Sequence, residues 1–176
     1  MYLISAYFDE NTSNILSKYF EDIAAATGND FMIANNVPPH MTITSIEARN
    51  PKQLIGEFER ICSQLSVGDI ALPTIGQLLP YVIYVGSVLN EYLQELQEKF
   101  YYALKDIPDT SISKYYMPYS WMPHITVGKT LSEGQMLQAF EYMQKSFAPV
   151  SGKIVELGLA KTNPHEDLMR IKLPVN

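Results

Sequence analysis

A single cysteine, Cys62, stands in the whole chain, so neither an internal disulfide nor a multi-cysteine zinc site is open to it. It lies in an apolar helical pattern, where a free thiol packs as a small hydrophobe. Basic charge is also scarce: 13 Lys and Arg stand against 19 Asp and Glu, for a formal charge of −6. Affinity for long duplex nucleic acid comes from many cations neutralising phosphates, so that class of partner is excluded and a compact ligand is favoured. Apolar runs are short, and none reaches the roughly 20 residues that a membrane helix requires. The first eight residues contain no Lys or Arg and run directly into Asp9 and Glu10, which is the pattern of a strand and not of a secretory leader. A cytoplasmic protein with no membrane partner is expected. Low-complexity tracts and long linkers are missing too.

What is present suffices for a core. Hydrophobic residues make up 47% of 176, enough for one domain or two intimately packed lobes. The 12 tyrosines exceed what packing alone needs, which places some rings at a surface groove.

Hydrophobic periodicity predicts a strand over 2–8, a helix over 11–25 capped by Asn11, Thr12 or Ser13 and closed by Gly28, a strand over 40–47, a helix over 51–65 and a strand over 69–79. From residue 81 the order begins again. A strand (81–88), a helix (90–107), an aromatic loop (108–123), a strand (123–129) and a helix (132–147) are followed by closing strands over 153–160 and 168–173. The two halves, approximately 1–79 and 80–176, therefore share one layout and read as an internal duplication.

One motif occurs in both halves: Pro39-His40-Met41-Thr42-Ile43 and Pro123-His124-Ile125-Thr126-Val127, 84 residues apart. In a strand, side chains two residues apart share a face, so each half offers an imidazole and a hydroxyl backed by apolar neighbours. Brought together about a twofold axis, the two pairs would surround one phosphate. Phosphodiester cleavage needs one group to take a proton from the attacking oxygen and another to give one to the leaving oxygen, and histidine can do either near neutral pH. Threonine hydroxyls would hold the non-bridging oxygens. Nothing in the scheme calls for a metal or another cofactor.

The doubled motif, in a chain of this length with this alternation, resembles the 2H phosphoesterase superfamily, which includes 2′-5′ RNA ligase-like proteins and cyclic nucleotide phosphodiesterases. The resemblance spans almost the whole chain. It implies a two-lobed α+β fold of pseudo-twofold duplicated antiparallel sheets with helices on the outside and a central cleft, His40 and His124 as catalytic acid and base, and Thr42 and Thr126 as phosphate ligands. It further implies a metal-independent phosphodiesterase acting on 2′,3′-cyclic phosphates or small 2′-5′-linked ribose phosphodiesters. Ligation or processing of RNA ends, and nucleotide binding without turnover, are the alternatives. The partner is then a small nucleotide or an RNA end, and the chain a monomer.

Four aromatic residues are candidates for contact with that substrate. Tyr119 and Trp121 precede the second motif, where stacking on a base and anchoring of the loop are equally open, and Tyr7 and Tyr84 lie in strands expected to border the cleft. Members of the family often carry Arg after the second motif. Here Gly128-Lys129 stands instead, and strand parity turns Lys129 away from the His124 face. His165, in the turn-forming stretch 162–167, is expected to be a solvated hairpin residue.

Overall fold

In the computed structural model, which describes residues 1–162 and 166–175, the alternating N-terminal segment forms β1 (Tyr2–Phe8) inside the larger of two antiparallel sheets. Ile4, Ala6 and Phe8 bury one face of it, leaving Ser5 and Tyr7 on the other. The strand runs directly into α1 (Glu10–Thr27), and the helix is capped by Asp9 instead of the Asn11, Thr12 or Ser13 expected. Its carboxylate accepts from the Thr12 N–H at 2.9 Å, the Thr12 hydroxyl at 2.8 Å and the Lys153 N–H at 2.7 Å. Burial alone would raise this carboxyl's pKa; the bonds from Thr12 and Lys153 outweigh it and hold the group below its usual range. Gly28 ends the helix in the left-handed conformation at φ 71°, where a side chain would be strained.

A short helix, α2 (Phe31–Ala34), precedes β2 (Met41–Ala48), and α3 (Pro51–Cys62) follows with proline in its first turn. The single strand expected over 69–79 is two. Pro73, which has no N–H to give to a ladder, separates β3 (Gly68–Leu72) from β4 (Thr74–Leu78), and there the chain passes from one sheet to the other. The second half then supplies β5 (Val82–Gly86), α4 (Glu91–Leu104), a short β6 (Thr110–Ile112), a 3₁₀ turn at Lys114–Tyr116, β7 (His124–Gly128), α5 (Glu133–Ser146), β8 (Val150–Lys161) and β9 (Glu166–Lys172).

The larger sheet has the order β3-β8-β1-β2-β6. The remaining part of the long β8 pairs with β9, since β3 occupies residues 150–154 and β9 residues 156–161. The smaller sheet is β4-β5-β7. Between them a twofold correspondence holds: β1-α1-β2 answers to β5-α4-β7, α1 packs on α5 as α4 packs on α3, and each central strand is flanked by one from the opposite half, β8 beside β1 and β4 beside β5. Third strands are thus reciprocally exchanged, and each sheet draws on both halves of the chain. One core runs through both, including Ile4, Ile43, Phe58, Phe100, Ile125 and Leu157.

The two ladders also share an irregularity. Ile4 faces Thr44 and Ser5 faces Thr42, leaving Ile43 as an extra residue; Ile83 faces Gly128 and Tyr84 faces Thr126, leaving Val127. Both bulges fall on the β-branched residue just after the motif threonine. Among the described residues, no helix is long and apolar enough to cross a membrane.

Candidate active site

His40 immediately precedes β2 and His124 opens β7. Each imidazole Nδ1 lies 2.8 Å from the carbonyl oxygen two residues earlier, that of Pro38 for His40 and that of Met122 for His124. A carbonyl oxygen can only accept, so Nδ1 carries the hydrogen in both neutral rings, and Nε2 is then the basic nitrogen. The intervening Pro39 and Pro123 have a fixed φ and hold the preceding residue extended, which brings the carbonyl and the ring together in the same way twice. Thr42 and Thr126 follow on the same strand faces, half-buried. The strands that follow or carry the two histidines, β2 and β7, pack against each other across the two sheets.

A tyrosine borders each imidazole. The Tyr84 ring meets His124 edge to face at 5.4 Å, and its hydroxyl lies 3.9 Å from the Met122 sulfur. Tyr7 stands 6.4 Å from His40. Both rings are seated on glycine: a Cβ at Gly158 would come within 2.8 Å of the Tyr7 ring, and one at Gly76 would collide with the ring and hydroxyl of Tyr84. Gly158 pairs with Ser5, and Gly76 pairs with Tyr84, which makes the two glycines twofold counterparts on the exchanged strands.

With this geometry in place, comparison with known proteins is decisive at the level of family. Residues 16–166 match the model of the 2′-5′ RNA ligase superfamily. The chain belongs to that superfamily. No curated protein matches it in sequence. Among solved structures, Escherichia coli LigT complexed with 3′-AMP is similar with a TM-score of 0.58 at 14% identity, over 98% of this chain and 97% of the other. TT0787 of Thermus thermophilus is similar with a TM-score of 0.60 at 13% identity, over 99% and 98%. At such identities the likeness establishes the shared fold, the two-lobed α+β architecture that the doubled motif implies.

In this member of the superfamily the remaining candidates occupy different settings. Tyr7 is 9% exposed, and the guanidinium of Arg170 lies 3.9 Å above its ring, held by Glu156 at 3.4 Å and Asp167 at 3.1 Å. Burial pushes the Tyr7 phenol up, and the neighbouring guanidinium pulls it partly back. Tyr7 is therefore a largely buried wall beside His40, with one face of its ring covered by the Arg170 guanidinium. Arg170 carries no local signal in the sequence; only the pairing of β9 across Gly158 brings it over the ring.

Trp121 is 7% exposed, and its indole N–H donates to the Thr42 carbonyl at 3.0 Å, so of its two roles the structure shows the anchor. Tyr116 comes from the same loop; burial raises this phenol's pKa and the neighbouring Thr42 hydroxyl partly offsets the rise. Tyr119 is the opposite case. It is 90% exposed and sits at φ 63°, a left-handed conformation rare for a bulky side chain.

Lys129, one residue past β7, places its ammonium 5.8 Å from the Phe31 ring centre. His165 lies outside the described residues. Among those described, no three His, Cys, Asp or Glu side chains are grouped to hold a metal. Burial pushes the Cys62 thiol up to about 12, consistent with packing alone. One hollow of about 560 Å³, whose lining includes Asp9, Asp69, Asn90 and Lys153, contains no motif residue. Its Lys153 is paired with Asp69 at 2.9 Å.

Proposed function

We propose that the protein is a metal-independent phosphodiesterase that hydrolyses 2′,3′-cyclic phosphates or small 2′-5′-linked ribose phosphodiesters by acid–base catalysis between His40 and His124. The observation that carries this reading is the twice-repeated imidazole geometry, each ring locked through Nδ1 with a threonine hydroxyl on the same face. For a cyclic substrate, Nε2 of one histidine takes a proton from water as its oxygen bonds to phosphorus. The bond from phosphorus to one ribose oxygen breaks, and the protonated Nε2 of the other histidine supplies that oxygen's proton. One water is consumed and a phosphomonoester remains. Thr42 and Thr126 donate to the non-bridging oxygens, whose charge grows in the transition state.

Tyr119 offers an exposed ring to a base, and Tyr84 lines the His124 side. Tyr7 and Trp121 act from behind, on His40 and Thr42. That LigT is seen with 3′-AMP supports a ribonucleotide carrying a 3′-phosphate as the class of ligand. The same acid and base run in reverse would join 2′-5′ ends, but an acidic chain is poorly suited to grip long RNA.

The test is a panel of 2′,3′-cyclic nucleotides and 2′-5′-linked dinucleotides incubated with the enzyme in excess chelator. Turnover is expected to persist, and His40→Ala or His124→Ala is expected to lower it by about 10²–10⁴-fold with the melting temperature unchanged. Full activity in either variant, or loss of wild-type turnover on chelation, would sink the assignment.

A further inference from the structure

β6 covers the outer edge of β2 only at residues 46–48, so the stretch that carries Thr42 lies beyond this pairing. The loop that leaves β6 takes over the task. Ser113 donates its N–H to the Ser45 carbonyl at 2.9 Å, and Trp121 donates its indole N–H to the Thr42 carbonyl at 3.0 Å. Between them Tyr116 sets its hydroxyl against the Thr42 side chain. The loop is itself fastened: buried Gln97 of α4 donates to the Tyr116 carbonyl at 2.6 Å, and the Trp121 N–H closes a turn onto Met117 at 3.1 Å. Three residues after Trp121 comes His124. A buried, hydrogen-bonded aromatic side chain thus ties the backbone of one motif to the short segment that delivers the other.

We propose that Trp121 is a positioning residue that sets the span between the Thr42 hydroxyl and the His124 imidazole, coupling the two motifs across the sheets. The inference rests on reading the motifs as one phosphodiester site. The twofold plan does not supply such a tie by itself: the residue at the corresponding place before His40 is Val37, which has no side-chain donor. Without the indole donor the Thr42 carbonyl at this edge loses its partner, and the hydroxyl carried on the adjoining Cα shifts with it. A misplacement of roughly 1 Å is enough to cost about 100-fold in rate.

The experiment is a double-mutant cycle on hydrolysis of 2′,3′-cyclic AMP by the full chain, with Trp121→Phe, Thr42→Ala and both together. Trp121→Phe is expected to lower kcat by about 10- to 100-fold while KM stays within about twofold. In the Thr42→Ala background the same change is expected to cost less than about twofold, because the group it positions is gone. A kcat left unchanged, or full additivity of the two substitutions, overturns the proposal. Should Trp121→Phe fail to fold, Tyr116→Phe, which removes one half-buried hydroxyl from the same loop, is expected to show the same non-additivity with Thr42→Ala. If the wild type turns over no cyclic nucleotide, the proposed function fails, and the cycle is repeated on the affinity for 2′,3′-cyclic AMP by calorimetry. Non-additive binding would then uphold the coupling, and no binding by the wild type would end both readings.

Discussion

At the scale of the residue, the site is defined by what has been done to two imidazoles. Each has one nitrogen committed to a backbone carbonyl, with no carboxylate needed to choose the tautomer. Nitrogen-15 NMR of the neutral rings is therefore expected to show the Nδ1–H form for both His40 and His124. A dominant Nε2–H form in either would contradict the geometry on which the proposed proton transfers depend. These residues were legible in the sequence because the whole signal is local: Pro, His and Thr at fixed spacing, twice. Arg170 was not, since a lone arginine in an alternating strand is indistinguishable from a solvated one until β8 and β9 pair. Trp121 was half legible. Its place before the motif marked it, but whether the ring met a ligand or Thr42 depended on a contact 79 residues away in sequence.

At the scale of the element, strands bring the side chains to their stations and small residues on neighbouring strands make room for them. Gly76 on β4 leaves the space in which the Tyr84 ring lies before it reaches His124. Replacing glycine by alanine in a strand ordinarily gains roughly 0.5–1 kcal/mol. Here Gly76→Ala is expected instead to destabilise by about 1–3 kcal/mol through overpacking. It should also reduce kcat several-fold as the Tyr84 ring swings away from His124, which melting and steady-state kinetics on the one variant would measure together. Unchanged stability and rate would show that the ring is not constrained by its seat. Element order was largely predictable from periodicity, and the order of elements exposed the duplication. The failures have specific causes: Asp9 caps α1 from the end of a strand, where no helical pattern points to it, and Pro73 divides a continuous apolar alternation into strands of different sheets.

At the scale of the molecule, reciprocal exchange makes the halves interdependent. The segment 1–79 contains β1 without β8 and β4 without β5, leaving open edges on both strands. Expressed alone, neither 1–79 nor 80–176 is expected to unfold cooperatively, while the two mixed together are expected to regain the spectrum and cooperative melt of the whole. A cooperative transition in the isolated first segment would refute this. Pairwise exchange could not be read from the sequence, because strand pairing between remote segments leaves no local trace. It also bears on how the chain is made. With β8 lying beside β1, the larger sheet is incomplete until nearly the whole chain has been synthesised, and its first strand must wait for a partner about 150 residues away.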